Sequence, residues 1–378
     1  MRKRGTSRTG TRPSNIFERN PRKTILLAVV LLILITDLVI GSVFIPRNFN
    51  VFRCPHHFYH HGLLPNKQCT GKWGNRIFYS VVTNSLGFRD EYIRNVPLKS
   101  NKRRIVLIGD SFVESLGLDY AKSFVSILNS RISKNKTEIL NAAVVSYSPK
   151  LYYLKIKYLV ENIGLRFDEL FVFIDICDVF DEIFYEEFEP KEYNIIDDIT
   201  YRVDKYLKNT SYIYYSLNRM FQKAPGKNEA RVDGLEPSLA PTGNEHTAAV
   251  RKIDTHAVPY WTVDESSFKL CVEKGLPLAR MNMSKLATLC KNNNVKMTLV
   301  VYSWPHQIFY NDCESIQVTF WQEFCRQNGI AFINLFPLFI NGADPGAVVA
   351  RYFIKNDVHW NSQGHIIVAN ALFTYMDH

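Results

Sequence analysis

At 378 residues, 46% hydrophobic and 13% aromatic, the chain has room for one large α/β domain with additions, and this composition excludes a disordered polymer. A net charge of +10 invites a nucleic-acid reading, yet residues 1–23 supply +7 of it through Arg2, Lys3, Arg4, Arg8, Arg12, Arg19, Arg22 and Lys23 against Glu18. A basic tail followed at once by an apolar run is the positive-inside pattern of a membrane protein, so nucleic acid is the weaker reading.

The apolar run extends from Thr24 to Ile45, and about 20 residues at ~1.5 Å rise suffice to cross a bilayer core. Its length, the long basic flank and the lack of an A-x-A site favour an uncleaved anchor over a cleaved signal peptide. The tail 1–23 is then cytoplasmic, 24–45 a single transmembrane helix, and the rest lies outside. Asp37 falls inside this span, where an ionised carboxylate costs about 2.5–3.5 kcal/mol. It is expected near the outer interface or protonated, or else facing a partner helix.

Residues 46–100 read as an irregular juxtamembrane segment. Within it, Cys54-Pro55-His56-His57 and His60-His61 offer metal ligands but no supporting carboxylates, so an exposed polar turn is the expectation and no metal is assigned. Seven cysteines suit an exported domain; Cys54 could pair with Cys69, and Cys313 with Cys325.

From 101 to 378 strand and helix alternate. Strands are expected over Arg104–Ile108, Glu138–Val145, Glu169–Ile176, Val295–Tyr302 and Ile330–Leu335, each a compact apolar run of the buried parallel kind. Helices are expected over Ala121–Ile132, Lys150–Glu161, Leu278–Lys291, Ile316–Gln327 and Gln363–Met376. Alternation of this sort implies a parallel sheet covered on both faces, an α/β three-layer sandwich. The pattern breaks over about 184–270, a charged, aromatic stretch with a Gly/Pro/Ser-containing run from Ala224 to Gly243, read as an inserted cap or lid.

The first strand ends in Gly109-Asp110-Ser111, which presents a hydroxyl at the carboxyl edge of the sheet, where open α/β folds bind ligands. Serine needs a base held by a third group. Near the C-terminus Asp357-Val358-His359-Trp360 precedes the last helix. On the same sheet edge, His359 can take the Ser111 proton while Asp357 orients the imidazole.

These motifs resemble those of the SGNH (GDSL-type) hydrolase superfamily. Gly109-Asp110-Ser111-Phe112 matches its first block. Asn141-Ala142-Ala143-Val144-Val145-Ser146 corresponds to its second, with Ser146 where the family has a glycine whose N–H joins that of Ser111 in an oxyanion hole. Any residue but proline keeps that donor. Ile174-Asp175-Ile176-Cys177-Asp178 departs from the third block, Gly-x-Asn-Asp, having Cys177 where the asparagine stands. The Asp-x-His-Trp form is similar to that of alginate-type O-acetyltransferases, and Asn84-Ser85-Leu86-Gly87-Phe88-Arg89 resembles a segment of membrane-anchored members associated with surface polysaccharide.

The resemblance implies a flavodoxin-like sandwich and a cofactor-free serine esterase acting on O-acyl groups of a surface polysaccharide. Alternatives are an O-acetyltransferase using the same residues and a catalytically weak polysaccharide-binding protein. Expected partners are the membrane, an acylated glycan and membrane proteins of polysaccharide biosynthesis. Candidate substrate contacts are Asp110, Asp175, Asp178, Trp304, Gln307 and Trp360. The two tryptophans could flank a sugar groove or simply pack in the core.

Overall fold

The computed structural model describes residues 16–74, 76–132, 136–222 and 260–376. In chain order the elements are α1 (Pro21–Phe44), β1 (Arg53–His56), β2 (His60–Leu63), β3 (Gln68–Trp73), β4 (Ile77–Val82), β5 (Arg103–Ile108), α2 (Ser111–Glu114), α3 (Phe124–Arg131), β6 (Thr137–Asn141), α4 (Pro149–Lys157), β7 (Glu169–Ile174), α5 (Asp178–Phe184), α6 (Ile195–Thr210), α7 (Tyr212–Gln222), α8 (Leu276–Asn292), β8 (Lys296–Val301), α9 (Pro305–Phe309), α10 (Ile316–Asn328), β9 (Ala331–Asn334), α11 (Pro345–Tyr352) and α12 (Ser362–Met376).

Two compact units emerge. The larger, Phe49–Tyr193 with the described residues from Tyr260 on, is built on a five-stranded parallel sheet in the order β6-β5-β7-β8-β9. All five sequence-predicted strands are present; β6 is the shortest against expectation, stopping at Asn141 because the chain then turns away toward Ser146. The strands bury both faces, as their apolar runs require. Val106, Ile108, Val172 and Leu299 enter one helix-covered core, and Ile105, Leu107, Phe171 and Val300 the other. The chain leaves β5 toward β6 on one side and reaches β7 on the other, so the carboxyl end of β5 lies where the strand order reverses.

Residues 46–100 are irregular only in part, since most of 53–82 is regular. β1–β2 and β3–β4 are antiparallel hairpins, and Phe52, Leu63, Tyr79, Val81 and Phe88 join the core. The histidines there do not form an exposed turn: His60 and His61 are buried, and His61 Nε2 meets the Val145 carbonyl at 2.9 Å. Cys69, Cys313 and Cys325 carry free thiols, so neither expected bridge is present.

The smaller unit contains α1, α6 and α7. Of the stretch expected as a cap or lid, residues 195–222 form a helical hairpin packed with the apolar helix, while residues 260–270 belong to the larger unit, where Trp261 is fully buried. The Ala224–Gly243 run lies outside the described residues.

His365 fastens α12 to α3 inside the second core. Its ring stacks on Phe124 at 5.8 Å, and its Nδ1 accepts the Phe124 N–H at 3.3 Å. Burial, with the positive Arg89 adding to it, pushes its pKa down to about 3, so the fold holds it neutral while an unfolded chain protonates it below about 6.5. Its contribution is complete above that value and is lost as pH falls toward 3. In paired denaturant titrations, the stability advantage of the wild type over His365→Gln should therefore shrink by about 1.4 kcal/mol per pH unit below pH ~6. A pH-independent difference would show that the ring takes up its proton as readily in the fold as in the unfolded chain.

Candidate active site

Gly109 is required by close approach and not by a special backbone angle: a Cβ there would stand 2.6 Å from Val113 Cγ2 and 3.0 Å from Phe173 Cβ. Asp110 then caps α2. Its Oδ1 accepts the Phe112 N–H at 3.0 Å and the Tyr302 hydroxyl at 2.9 Å, and its Oδ2 lies 3.1 Å from Ser111 Oγ. Ser111 thus begins a one-turn helix at the carboxyl end of β5.

The histidine arrives on the loop between α11 and α12. Asn361 holds that loop, accepting the N–H groups of Gln363 and Gly364 and donating to the carbonyls of Arg351 and Phe353. A bridge between Phe353 and Trp360 closes its base. His359 Nε2 consequently lies 2.8 Å from Ser111 Oγ, and His359 Nδ1 lies 2.5 Å from Asp357 Oδ1. A carboxylate at Nδ1 fixes the proton there and leaves Nε2 as acceptor for the serine. Residues 248 positions apart in sequence therefore form one Ser–His–Asp line, with Ser111 and His359 both largely buried.

Burial alone would raise the Asp357 pKa, but the hydrogen bond and charge of His359, with a further bond from Trp73, hold it below the usual 3.8. Trp73 is the residue that sequence reasoning missed. Its Nε1 donates to Asp357 Oδ2 at 2.6 Å, and its ring stands edge-on to His359 at 5.1 Å.

Ser146 adopts φ 58°, the left-handed region that glycine enters without cost. The glycine-like backbone turn is therefore kept although the side chain is not. Among the described residues, neither the Ser111 nor the Ser146 N–H has an acceptor. Asn141 supports both segments, donating to the Val113 carbonyl and accepting the Ala143 N–H.

The remaining sequence-predicted contacts divide sharply. Trp360 has no exposed surface; it packs against Phe112, Tyr302 and Phe339 and is a core residue, not a groove wall. Gln307 is equally buried, its side chain spent on the Trp304 N–H, Asp312, Ser315 and Gln317. Asp178 is buried and accepts the Tyr152 hydroxyl, and Asp175 takes the N–H groups of Cys177 and Asp178. These two carboxyls, like Asp110, brace the site from beneath and do not face ligand. Burial, reinforced by the Asp110 carboxylate, pushes the Asp175 pKa well up. Trp304 alone stays partly exposed, with its Nε1 held by Asp175 at 3.1 Å and its ring 5.9 Å from Phe112.

Comparison with known proteins adds likeness only. No family model matches the chain, and no curated protein does. Among solved structures it is similar to the psychrotrophic esterase EstA from Pseudoalteromonas sp., at 10% identity over 73% of this chain and 100% of that one, with a TM-score of 0.38. It is also similar to Axe2, an acetylxylan esterase from Geobacillus stearothermophilus, at 12% identity over 73% and 95% of the two chains, with a TM-score of 0.37. A GDSL-like lipase from Bacteroides thetaiotaomicron gives 10% identity over 74% and 91%, with a TM-score of 0.36. Each is an esterase or lipase by name, but at these values the sheet order and the contacts of Ser111 carry the reading of this chain.

Two substitutions probe the geometry. Trp73→Phe removes one hydrogen bond to a charged carboxylate and should lower kcat/KM of any Ser111-dependent reaction by about tenfold, the kinetic equivalent of ~1.4 kcal/mol. Ser146→Gly keeps the N–H and relieves the positive φ, so the melting temperature should rise by the equivalent of about 1 kcal/mol with activity retained.

Proposed function

We propose that this protein is a membrane-anchored serine esterase, with Ser111 as nucleophile, His359 as general base and then acid, and Asp357 as its orienting carboxylate. The observation that carries this is the 2.8 Å approach of His359 Nε2 to Ser111 Oγ, with Asp357 on the opposite ring nitrogen. As Ser111 Oγ bonds to the ester carbonyl carbon, its proton passes to His359 Nε2. The carbon–oxygen bond to the alcohol then breaks, and His359 returns that proton to the departing oxygen. Water, deprotonated by the same nitrogen, cleaves the acyl-serine and restores the enzyme. The unpartnered N–H groups of Ser111 and Ser146 are the donors for the transient oxyanion.

The substrate favoured here is an O-acetyl ester on a surface polysaccharide. The partly exposed Trp304 beside Phe112 supports it, since an aromatic ring packs well on the apolar side of a sugar. Hydrolysis is the default outcome, and a sugar hydroxyl entering in place of water would make the same residues an O-acetyltransferase. The anchor is α1, a 24-residue apolar helix whose hydropathy and low burial suit a bilayer span that retains the N-terminus on the cytoplasmic side. Membrane proteins of polysaccharide biosynthesis are its proposed partners.

A serine-directed fluorophosphonate should label Ser111 and no other site, and His359→Ala should suppress the labelling. Hydrolysis of p-nitrophenyl acetate should fall at least ~10³-fold in Ser111→Ala, and the Ser111→Ala/His359→Ala pair should be no slower than either alone. Equal rates for wild type and Ser111→Ala would leave a protein that binds without turning over.

A further inference from the structure

The helical hairpin α6–α7 has an unusual surface. On α6, Ile195, Ile199, Val203 and Tyr206 recur at helical spacing and are all exposed. On α7, Ile213, Leu217, Met220 and Phe221 do the same, with Met220 71% and Phe221 72% accessible. An amphipathic helix of a water-soluble domain turns such a stripe toward its core. Here the stripes are left open, while the opposite face of α6 carries the ion pair Lys208–Asp204.

The contacts with α1 say what covers them. The Ile213 N–H, at the start of α7, donates to Asp37 Oδ1 at 2.8 Å, and Asp37 is buried there. The rings of Tyr212 and Phe44 lie 6.1 Å apart, and the Thr210 carbonyl sits where a Cβ on Gly41 would be, 2.1 Å away. Asp37 precedes the end of α1 at Phe44 by seven residues, or about 10 Å along the axis. A helix end bonded to Asp37 is therefore held about 10 Å below the outer end of the apolar helix, the depth of the headgroup–acyl boundary. The pairing also answers the charge inside the span, because the positive end of the α7 dipole and the Ile213 N–H meet the carboxylate.

From this juxtaposition we propose that α6–α7 is a second membrane element, an interfacial hairpin whose apolar stripes lie in the outer leaflet alongside α1. It rests on α1 being the uncleaved anchor given above. The occupant of the stripes is lipid acyl chain, since they continue the lipid-facing surface of α1 within one compact unit.

The test uses the full chain in phosphatidylcholine/phosphatidylglycerol nanodiscs carrying an alkyne-tagged phospholipid. Benzoylphenylalanine is placed singly at Phe221, at Ile199, at Leu31 within α1, and at Asp197 on the polar face of α6. After irradiation, lipid adducts at Phe221 and Ile199 should approach the yield at Leu31 and exceed that at Asp197 by about tenfold. Labelling at Leu31 with none at Phe221 or Ile199 overturns the hairpin proposal and leaves the anchor standing. Absence of labelling at all four positions removes both. A cross-link from Phe221 to a second copy of the chain, in place of lipid, also overturns it.

Discussion

Glu114 has no exposed surface, and the architecture around Ser111 follows from the need to satisfy it. It ends the one-turn helix that Ser111 begins, and its carboxylate is buried in the core behind Ser111. Arg53 meets it with two hydrogen bonds at 2.7 and 3.0 Å, and the Val145 N–H takes a further position at 2.7 Å. A charge removed from water is tolerated only when its lone pairs are filled, and deleting one partner of such a pair costs about 3–5 kcal/mol. One carboxylate thus ties the β1–β2 hairpin, α2 and the turn that leads to Ser146. Arg89 completes the clamp by donating to four carbonyls, those of Ser80, Glu114, Ser115 and Leu118. The segment before the sheet is consequently part of the site's scaffold and not a spacer.

That dependence explains what could be read from the sequence and what could not. The Gly109-Asp110-Ser111 turn was legible because a serine presented after a buried parallel strand needs a short local pattern. The Asp357–His359 pair was legible because the two residues sit on one loop. The strands were legible because burial on both faces leaves continuous apolar runs. Arg53, Arg89 and Glu114 carry no such pattern: an isolated charged residue looks like surface until its partner is known, and the Arg53 partner lies 61 residues away. Trp73 reaches Asp357 across 284 residues, and a tryptophan in a short hairpin announces nothing about the carboxylate it will meet.

The misjudged ligand contacts have a related origin. Trp360 and Gln307 were placed near the site by their neighbours in sequence, and they are near it. Direction was the unknown. Trp360 follows His359, and once the histidine turns toward Ser111 the next side chain is carried into the core between Phe112 and Phe339. Gln307 sits in the first turn of α9, where its carbonyl accepts the Trp304 N–H and its amide links Asp312 and Ser315 of the loop that follows with Gln317 of α10. Proximity in a loop defines a neighbourhood; packing decides which members face ligand.

The amphipathic hairpin shows the same limit from the other side. Periodicity identifies an apolar stripe but does not say whether protein or lipid covers it. A lid over the sheet and an interfacial anchor would share the sequence Ile195–Gln222. What separates them is one polar contact, the Ile213 N–H on Asp37. In a span of aliphatic residues a lone carboxylate is a cost without a partner and a docking point with one. Its location in α1 fixes where along that helix α7 begins, and with α1 as the proposed anchor that level would set the stripes against lipid. A residue that reads from sequence as a defect in the anchor is, in the proposed arrangement, the group that would set the depth of a second element.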